Sequence, residues 1–337
     1  MRWLPFELHT HTPHSDGTHS LLEMCRVAAE LGLEGIALTD HNTVSGLADA
    51  EAVSRQTGIA IIPGMEWTTF YGHMLTLGAP YCEWRDLGPD DIHKGIARVH
   101  EQGGIVGIAH PYSFGSPICT GCHWDYTVSD WNQIDYMEVW HETMPSMKNH
   151  NVPAFRQWTE LLNQGYRISA TAGRDWHRSD PADPLAAYTY IGLPDAPLPH
   201  SLTDLIAAIR QGRLCLSMGP LLEVSLNLGA DQYGLGSVVP LPVREAHPEA
   251  ELTVKITGSP RPERPWGAEG GSLIIIDSNL GELAKVPAIE YDGLPIPLTT
   301  AGLRWLRVRL FGTINGILTT IACTNAVYFA NEQQHEE

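Results

Sequence analysis

The sequence predicts an α/β fold in which a barrel of parallel strands is followed by a small β-rich domain. Short apolar runs alternate with amphipathic helical segments as far as residue 218, and repeated βα units of this kind imply a parallel sheet covered by helices. Histidines and carboxylates follow the ends of several of these runs. Because barrels collect functional residues at the carboxyl ends of their strands, this distribution favours a barrel over an open sheet.

Local signals in the sequence predict the individual elements. After a first strand at residues 6–8, Ser20 and Glu23 form a capping box that begins a helix, and Gly32 ends it. Further strands are predicted from apolar runs at residues 35–39, 59–62, 74–77, 105–108, 134–139 and 167–170. Helices are predicted over residues 44–57, 90–102, 153–163 and 202–212.

The sequence pattern changes after Gly219 and Pro220. Short β-like segments then dominate, at residues 222–228, 252–256, 272–276, 303–310 and 318–322, with Gly- and Pro-rich breaks between them. Such spacing is typical of an antiparallel β-sandwich. We therefore predict a barrel over residues 1–218, a small β-sandwich-like domain over residues 219–330 and a polar tail over residues 331–337.

Composition limits the classes of function. The formal net charge of −18 over 337 residues argues against a nucleic-acid-binding surface, since phosphate contacts need clustered Lys and Arg. No apolar run reaches the ~18 residues of a membrane span, and the segment before residue 9 is too short for a secretory signal. The six cysteines are mostly scattered through core-like segments. These features favour a cytoplasmic protein that binds neither nucleic acid nor a membrane.

Histidines and carboxylates in the N-terminal part form a pattern that indicates metal binding. His9 and His11 stand two residues apart on a predicted strand, so their side chains point to the same face. Glu66 is suited to bridge two metals, as a two-metal hydrolytic site requires. Imidazole and carboxylate groups gathered from many strand ends are the ligands of a multinuclear centre of divalent metals. Glu7 and Asp40 are candidates for holding the second ring nitrogens of such histidines.

The order of these motifs over residues 6–218 resembles the PHP (polymerase and histidinol phosphatase) superfamily. The resemblance implies a distorted, TIM-like (β/α)7 barrel that binds two or three divalent metals, with zinc, manganese and iron all acceptable to such donors. It also implies the ligands of each metal: His9, His11, Glu66 and Asp175 for the first, Glu66, His73 and His110 for the second, and Asp16, His41 and His177 for the third. Residues 63–73 and 217–220 resemble the carbaryl hydrolase branch (CehA/McbA-like) of that superfamily.

The sequence departs from the superfamily pattern beside the ligands. Arg174 stands where a serine is usual, and Arg178 follows the last ligand. Guanidinium groups match phosphate or carboxylate oxygens, so both are candidates for binding an anion, with a salt bridge to Asp180 as the alternative. His141 stands where many relatives carry Asn. It is expected to bind substrate, to donate a proton or to lie behind the ligands.

The segment Cys119-Thr120-Gly121-Cys122-His123 matches the attachment pattern of haem c. A covalent haem needs export and an open space for the macrocycle, and the sequence indicates neither. Zinc binding by the loop, a redox disulfide and a coincidental match stay open as alternatives.

Together these features predict a metal-dependent phosphoesterase that hydrolyses a small phosphorylated metabolite through a hydroxide bridging two metals. We expect Glu66, Asp175, Arg174 and His141 to be its catalytic residues, with His14 as a second candidate for the general acid. A carbamate, amide or ester hydrolase that uses the same metals is the alternative enzyme. A metal-stabilised binding module is the alternative outside enzymes. The expected partner is a small anionic substrate, and homo-oligomerisation is left open.

Overall fold

The computed structural model describes residues 1–115, 121–179, 185–195, 201–258 and 271–331, and it shows a mixed α/β protein. The helices are α1 Leu21–Glu30, α2 Ala50–Thr57, α3 Ile92–Glu101, α4 Asn151–Gln164, α5 Leu202–Gln211, α6 Leu241–Ala246 and α7 Ala288–Tyr291. The strands up to residue 217 are β1 Arg2–Thr10, β2 Gly35–Leu38, β3 Ala60–Thr69, β4 Gly72–Leu77, β5 Ile105–Ile108, β6 Tyr136–His141, β7 Ser169–Gly173, β8 Tyr188–Leu193 and β9 Leu214–Ser217. The later strands are β10 Leu221–Leu228, β11 Asp231–Tyr233, β12 Val238–Val239, β13 Glu249–Thr257, β14 Leu273–Ser278, β15 Gly281–Pro287, β16 Pro295–Thr299, β17 Trp305–Ile314, β18 Ile317–Thr324 and β19 Val327–Phe329.

The helices predicted from the sequence are present. The hydroxyl of Ser20 accepts a hydrogen bond from the backbone N–H of Glu23, and the Glu23 carboxylate accepts one from the N–H of Ser20, which confirms the capping box. The helix predicted over residues 44–57 begins as a 3₁₀ segment, Ser45–Asp49, and continues as α2. Gly58 ends α2 in a left-handed conformation that glycine adopts without a steric penalty. No helix in the described ranges combines the length and the apolarity needed to cross a membrane.

One large sheet carries the strands of the N-terminal part in the order β9-β8-β1-β2-β3-β4-β5-β6-β7. The pairs β1–β2, β2–β3, β5–β6 and β6–β7 are parallel, in agreement with the sequence. Strand β4 instead runs antiparallel to β3 and β5. Only Phe70 and Tyr71 separate β3 from β4, and so short a connection leaves no room for a crossover helix. Because β8 and β9 are also antiparallel to their neighbours, the sheet is mixed rather than wholly parallel.

Strand pairing among the described residues does not close this sheet into a barrel. The sheet curls, however, until the end of β7 lies beside the end of β1. There the N–H of Trp176 donates to the carbonyl of His9 at 2.9 Å, and the N–H of His11 donates to the carbonyl of Trp176 at 3.0 Å. A single parallel bridge between Thr10 and Trp176 marks this contact. The curl therefore brings the first and the last of the predicted ligand motifs to the same place.

The strands after residue 220 form two layers. Strands β14, β15, β17, β18, β19 and β12 make one layer, and β11, β10, β13 and β16 make a separate four-stranded sheet. Apolar side chains of both layers, including Leu252 on β13 and Val308 on β17, are buried in one cluster. Strand β18 also pairs with β9, so the first layer continues the N-terminal sheet across the predicted boundary at residue 218.

Two glycines allow aromatic rings to fill the interior of the curled sheet. A Cβ atom on Gly35 in β2 would lie 2.0 Å from the ring of Phe6, and one on Gly107 in β5 would lie 2.0 Å from the ring of Tyr136. Both aromatic side chains are buried. The glycines therefore leave space for these rings between β1 and β2 and between β5 and β6. This packing positions the strand ends that carry the ligand motifs.

Candidate metal centre

The end of β1 places His9 and His11 on one face of the sheet, and neither ring is exposed to solvent. Each ring directs its Nε2 atom towards two carboxylates. The Nε2 atom of His9 lies 3.3 Å from both Glu66 Oε2 and Asp175 Oδ1. The Nε2 atom of His11 lies 3.4 Å from the same oxygen of Glu66 and 2.8 Å from that of Asp175. The four side chains assigned to the first metal thus surround one point.

Glu66 lies in β3 at the centre of the cluster and is completely buried. Its two carboxylate oxygens face different histidines. The Oε2 atom, which faces the pair on β1, also lies 2.8 Å from Nδ1 of His41. The Oε1 atom lies 2.9 Å from Nδ1 of His73 on β4 and 3.2 Å from Nε2 of His110, which follows β5. One carboxylate therefore connects two groups of imidazoles, which is the arrangement that a bridging ligand requires.

A third group of donors lies closer to solvent. Asp16 Oδ1 is 3.0 Å from Nε2 of His177 and 3.6 Å from Nε2 of His41. The ring of His11 stacks against both imidazoles, with centroids 4.3 Å from that of His41 and 4.2 Å from that of His177. The structure thus brings all the predicted metal ligands together, and within each of the three groups the donor atoms lie within 4.8 Å of one another.

Several buried donor atoms in this cluster approach one another closely but form no hydrogen bond of suitable geometry among the described residues. They are Nε2 of His9 and His73, both ring nitrogens of His11, Nδ1 of His110, Oε2 of Glu66 and Oδ1 of Asp175. A buried polar atom without a partner costs about 1–3 kcal/mol, so such a concentration of them indicates that a further ligand satisfies them. Imidazole nitrogens and carboxylate oxygens are donors for divalent cations. The residues present therefore fit divalent metal ions.

Two of these donors hold a strained backbone. His110 and Asp175 have positive φ angles of 27° and 56°. Residues other than glycine rarely adopt positive φ angles, because this conformation costs of order 1–3 kcal/mol for each residue. The turn after β5 and the turn after β7 direct these two side chains into the cluster. Strain of this kind is characteristic of functional sites, where the surrounding structure holds it in place.

The charges of the cluster balance one another. Burial alone would raise the pKa values of Glu66 and Asp175, but the neighbouring imidazoles hold both pKa values well below their ordinary range. Burial acts to lower the pKa of His9, but Asp175, Glu66 and Glu138 together raise it well above its ordinary value. The carboxylates are therefore ionised, as metal ligands must be. A metal that binds His9 would displace a proton from its ring.

Glu138 on β6 supports the cluster from behind, and the sequence analysis did not identify it. Its Oε1 atom lies 3.1 Å from Nδ1 of His9, and its Oε2 atom accepts a hydrogen bond from the N–H of His110 at 3.0 Å. A carboxylate behind a metal-binding histidine fixes the orientation and tautomer of the ring. The signal available in the sequence was a carboxylate inside the apolar run of β6, which the structure buries to 1% exposure.

Glu7 and Asp40, the two carboxylates expected to hold ring nitrogens, form hydrogen bonds with other groups. Glu7 Oε1 accepts from the N–H groups of His9 at 3.2 Å and of Arg174 at 3.0 Å. Asp40 accepts from the N–H and the hydroxyl of Thr12 at 2.7 and 2.8 Å. Glu7 precedes His9 by two residues on one strand and so reaches its backbone. These carboxylates therefore fix the backbone around the histidines, and Glu138 takes the role that was expected of them.

Replacing Glu138 by Gln is expected to weaken metal binding by about 10- to 100-fold, because the amide holds the His9 ring less strongly than a carboxylate does. Competition with a chromophoric chelator measures the affinity of the purified protein. Glu160→Gln is the matched control, since Glu160 is exposed on α4. Equal affinities for the wild-type protein and the Glu138 variant would contradict the supporting role of Glu138.

The residues predicted to bind or protonate substrate differ in their surroundings. Arg174 is buried, and its guanidinium carbon lies 3.9 Å from the ring centroid of Trp176. The Nε2 atom of His141 lies 3.4 Å from Asp175 Oδ2. His14 is exposed, with its Nδ1 atom 2.8 Å from the hydroxyl of Ser45. His141 thus contacts a predicted metal ligand directly.

Two sequence interpretations depend on residues outside the described ranges. Asp180, the candidate partner of the exposed Arg178, is one of these residues. Cys119 and Thr120 of the Cys-x-x-Cys-His segment also lie outside. In the described part of that segment Cys122 is buried, and Nδ1 of His123 lies 3.3 Å from Asp125 Oδ1.

Comparison with known sequences gives a consistent result. Residues 7–105 match the PHP domain. The uncharacterized protein MJ1587 of Methanocaldococcus jannaschii is 30% identical over 124 residues, which are 34% of this chain and 69% of that protein. A 5'-3' exoribonuclease of Haemophilus influenzae is 38% identical over 64 residues, 19% of this chain and 23% of the relative. A phosphoribosyl 1,2-cyclic phosphate 1,2-diphosphodiesterase of Eggerthella lenta is 31% identical over 64 residues, 19% of this chain and 24% of the relative.

A solved structure shares the fold over nearly the whole chain. It is a two-domain protein from Bacteroides vulgatus that contains a predicted PHP-like metal-dependent phosphoesterase. The match covers 97% of this chain and 95% of that one, at 14% identity and a TM-score of 0.53. The class of protein that the fold and the donor cluster define is a metal-dependent hydrolase. The chain belongs to the PHP domain family.

Proposed function

We propose that this protein hydrolyses phosphoesters of small metabolites, and that two or three divalent ions bound by the donor cluster are required for the reaction. The observation that carries the proposal is the position of Glu66, whose two oxygens face separate groups of imidazoles. A carboxylate that bridges two cations lets both act on one phosphoryl group. Zinc, manganese and iron all accept this donor set. The phosphodiesterase among the relatives favours a phosphoester substrate.

Divalent ions at this site would polarise a phosphoryl oxygen and lower the pKa of water, so that a nucleophile forms at neutral pH. The protein's own contribution is to hold the donors in place. His9 is fixed by β1 and by Glu138, and Asp175 is fixed by the turn that follows β7. Because the donors come from several strands of one sheet, little reorganisation is needed when substrate binds.

We further propose that Arg174 binds non-bridging oxygens of the substrate, since it precedes the proposed ligand Asp175 and its guanidinium group is held over the ring of Trp176. His14 and His141 are the two candidates for the acid that protonates the leaving group. His14 lines a cavity of about 430 Å³ together with Thr12, Leu21 and other residues.

Hydrolysis of a carbamate, amide or ester is the alternative, and the resemblance to the carbaryl hydrolase branch supports it. Residues 63–73, which contain Glu66 and His73, resemble the carbaryl hydrolase branch, and the same donors would serve a carbonyl electrophile. The exoribonuclease among the relatives also brings a nucleic acid phosphodiester into consideration, although the net charge of −18 favours a small substrate.

Other features of the proposal rest on the sequence. We interpret the curled sheet as the distorted barrel and the two layers after residue 220 as the β-sandwich-like domain. The cytoplasmic location and the oligomeric state stay predictions from composition. They do not affect the chemistry proposed for the site.

Arg174→Ser is expected to lower turnover of phosphate esters by about 10- to 100-fold and to spare a neutral carbonyl substrate, because only the anion loses a charge-assisted contact. The measurement uses metal-reconstituted protein with p-nitrophenyl phosphate, bis-p-nitrophenyl phosphate, a short oligonucleotide and a naphthyl N-methylcarbamate. Arg55→Ser is the control, since Arg55 is exposed on α2. If the wild-type protein turned over only the carbamate, the function would be carbonyl hydrolysis. If Arg174→Ser lost turnover equally on phosphate esters and on the carbamate, Arg174 would have no role in selecting the substrate.

A further inference from the structure

His141, at the end of β6, does not belong to the ligand sets implied by the family resemblance, yet it lies inside the donor cluster. It is 5% exposed, and its ring centroid is 4.6 Å from that of His110. Its Nε2 atom lies 3.4 Å from Asp175 Oδ2. Donor atoms of His110, His141 and Asp175 lie within 4.8 Å of one another. This geometry matches that of the three donor groups already described.

The carboxylate of Asp175 faces two directions. Its Oδ1 atom lies 3.3 Å from Nε2 of His9 and 2.8 Å from Nε2 of His11, which belong to the first group. Its Oδ2 atom faces His141 instead. Asp175 therefore stands between the first group and the His110 side of the cluster, much as Glu66 does on the opposite side of the imidazoles.

The surroundings of His141 suit a ligand. Its Nδ1 atom lies 3.3 Å from the hydroxyl of Ser113, and its backbone carbonyl accepts a hydrogen bond from the amide of Asn151 at 2.9 Å. When Nδ1–H donates to Ser113, the lone pair is on Nε2, the atom that points into the cluster. A partner on the outer ring nitrogen is the usual support of a metal-binding histidine.

A second set of donors near His141 is less suited to a cation. Glu142 and His150 also bring donor atoms within 4.8 Å of one of His141. The Glu142 carboxylate, however, already forms an ion pair with Lys148. A cation at this outer position would have to displace the ammonium group, whereas Asp175 Oδ2 has no cationic side chain of Lys or Arg paired with it in the described contacts.

We infer that His141 is a ligand of the second metal position together with Glu66, His73 and His110, and that Asp175 joins the first and second positions through its two oxygens. The inference rests on the proposed function, because it requires divalent ions in the donor cluster. A histidine that binds a metal through Nε2 cannot also deliver a proton from that atom. The acid role then passes from His141 to His14.

The test measures metal binding directly. Wild-type protein, His141→Ala, His141→Gln and His150→Ala are reconstituted with Co²⁺ or Zn²⁺ and dialysed against the same buffered free metal concentration. Metal content is determined by elemental analysis, and the coordination is followed by the visible spectrum of the Co²⁺ form. Circular dichroism of the metal-free proteins shows whether each variant is folded. The His150 variant is the control for the outer position.

Both His141 variants are expected to bind the second ion at least about tenfold more weakly and to change the Co²⁺ spectrum, while His150→Ala matches the wild-type protein. Wild-type metal content and an unchanged spectrum in both His141 variants would overturn the inference but leave the proposed function in place. Loss of the ion in His150→Ala as well would place it at the outer position and overturn the inference too. Absence of metal from the wild-type protein would overturn the proposed function together with the inference.

Discussion

Glu66→Gln is expected to lose metal from the first and second positions together and to reduce turnover by roughly a thousandfold or more. Glu66 is completely buried, and ring nitrogens of His9, His11 and His41 lie within 3.4 Å of its Oε2 atom. The substitution keeps the size of the side chain but replaces an ionised oxygen by an amide that is a poor ligand for a hard or borderline cation.

Elemental analysis of the purified variant and its turnover of the phosphate esters check this prediction. Glu51→Gln is the matched control, because this substitution makes the same change of charge at an exposed position of α2. If Glu66→Gln kept both ions at wild-type affinity, the bridging role of Glu66 would be refuted. A variant that kept one ion and lost the other would show that the two positions do not share this carboxylate.

Asp175→Ala is expected to abolish turnover, again by roughly a thousandfold, while the chain stays folded. The carboxylate contacts His9 and His11 through Oδ1, and its side chain is 23% exposed in the turn after β7. Its ion-pair contacts are with imidazoles of the cluster, so we expect its removal to leave the strands in place. We expect the alanine at this position to keep the positive φ angle of Asp175, so that the backbone strain of about 1–3 kcal/mol is present in both proteins.

Turnover, metal content and a thermal unfolding curve of the metal-free protein are measured on the same sample. The expected outcome is loss of activity with an unfolding transition close to that of the wild-type protein. Full activity of Asp175→Ala at wild-type metal content would contradict its assignment to the centre. Loss of the cooperative transition would instead show that the Asp175 turn is part of what holds β7 against β1.

The positions along the chain of the strands up to β7 and of the helices could be predicted because they depend on nearby residues. The capping box of Ser20 and Glu23 is an interaction within one turn of helix, so its sequence pattern specifies it. Seven strands were not predicted: β8, β9, β11, β12, β15, β16 and β19. Two of them are β8, which pairs with β1, and β15, which pairs with β14. These pairings are decided by the path of the whole sheet rather than by a local period.

The direction of β4 could have been recognised from the short connection after β3, which permits only an antiparallel pair. The role of Glu138 could not be assigned in the same way. The sequence shows a carboxylate in an apolar run, but its partners His9 and His110 lie 129 and 28 residues away. Only the curl of the sheet brings β1 and the residue after β5 to the same carboxylate on β6.

By itself the sequence determined which imidazoles and carboxylates stand at the strand ends, because their chemistry depends on residue type. It also determined that His9 and His11 point to the same face, because side chains alternate along a strand. The tertiary structure decided which donors share an oxygen of Glu66 or Asp175, that Glu138 rather than Glu7 supports His9, and that His141 lies among the donors. These relations are distances between residues far apart in the chain. They are fixed only when the sheet curls and places the end of β7 beside the end of β1.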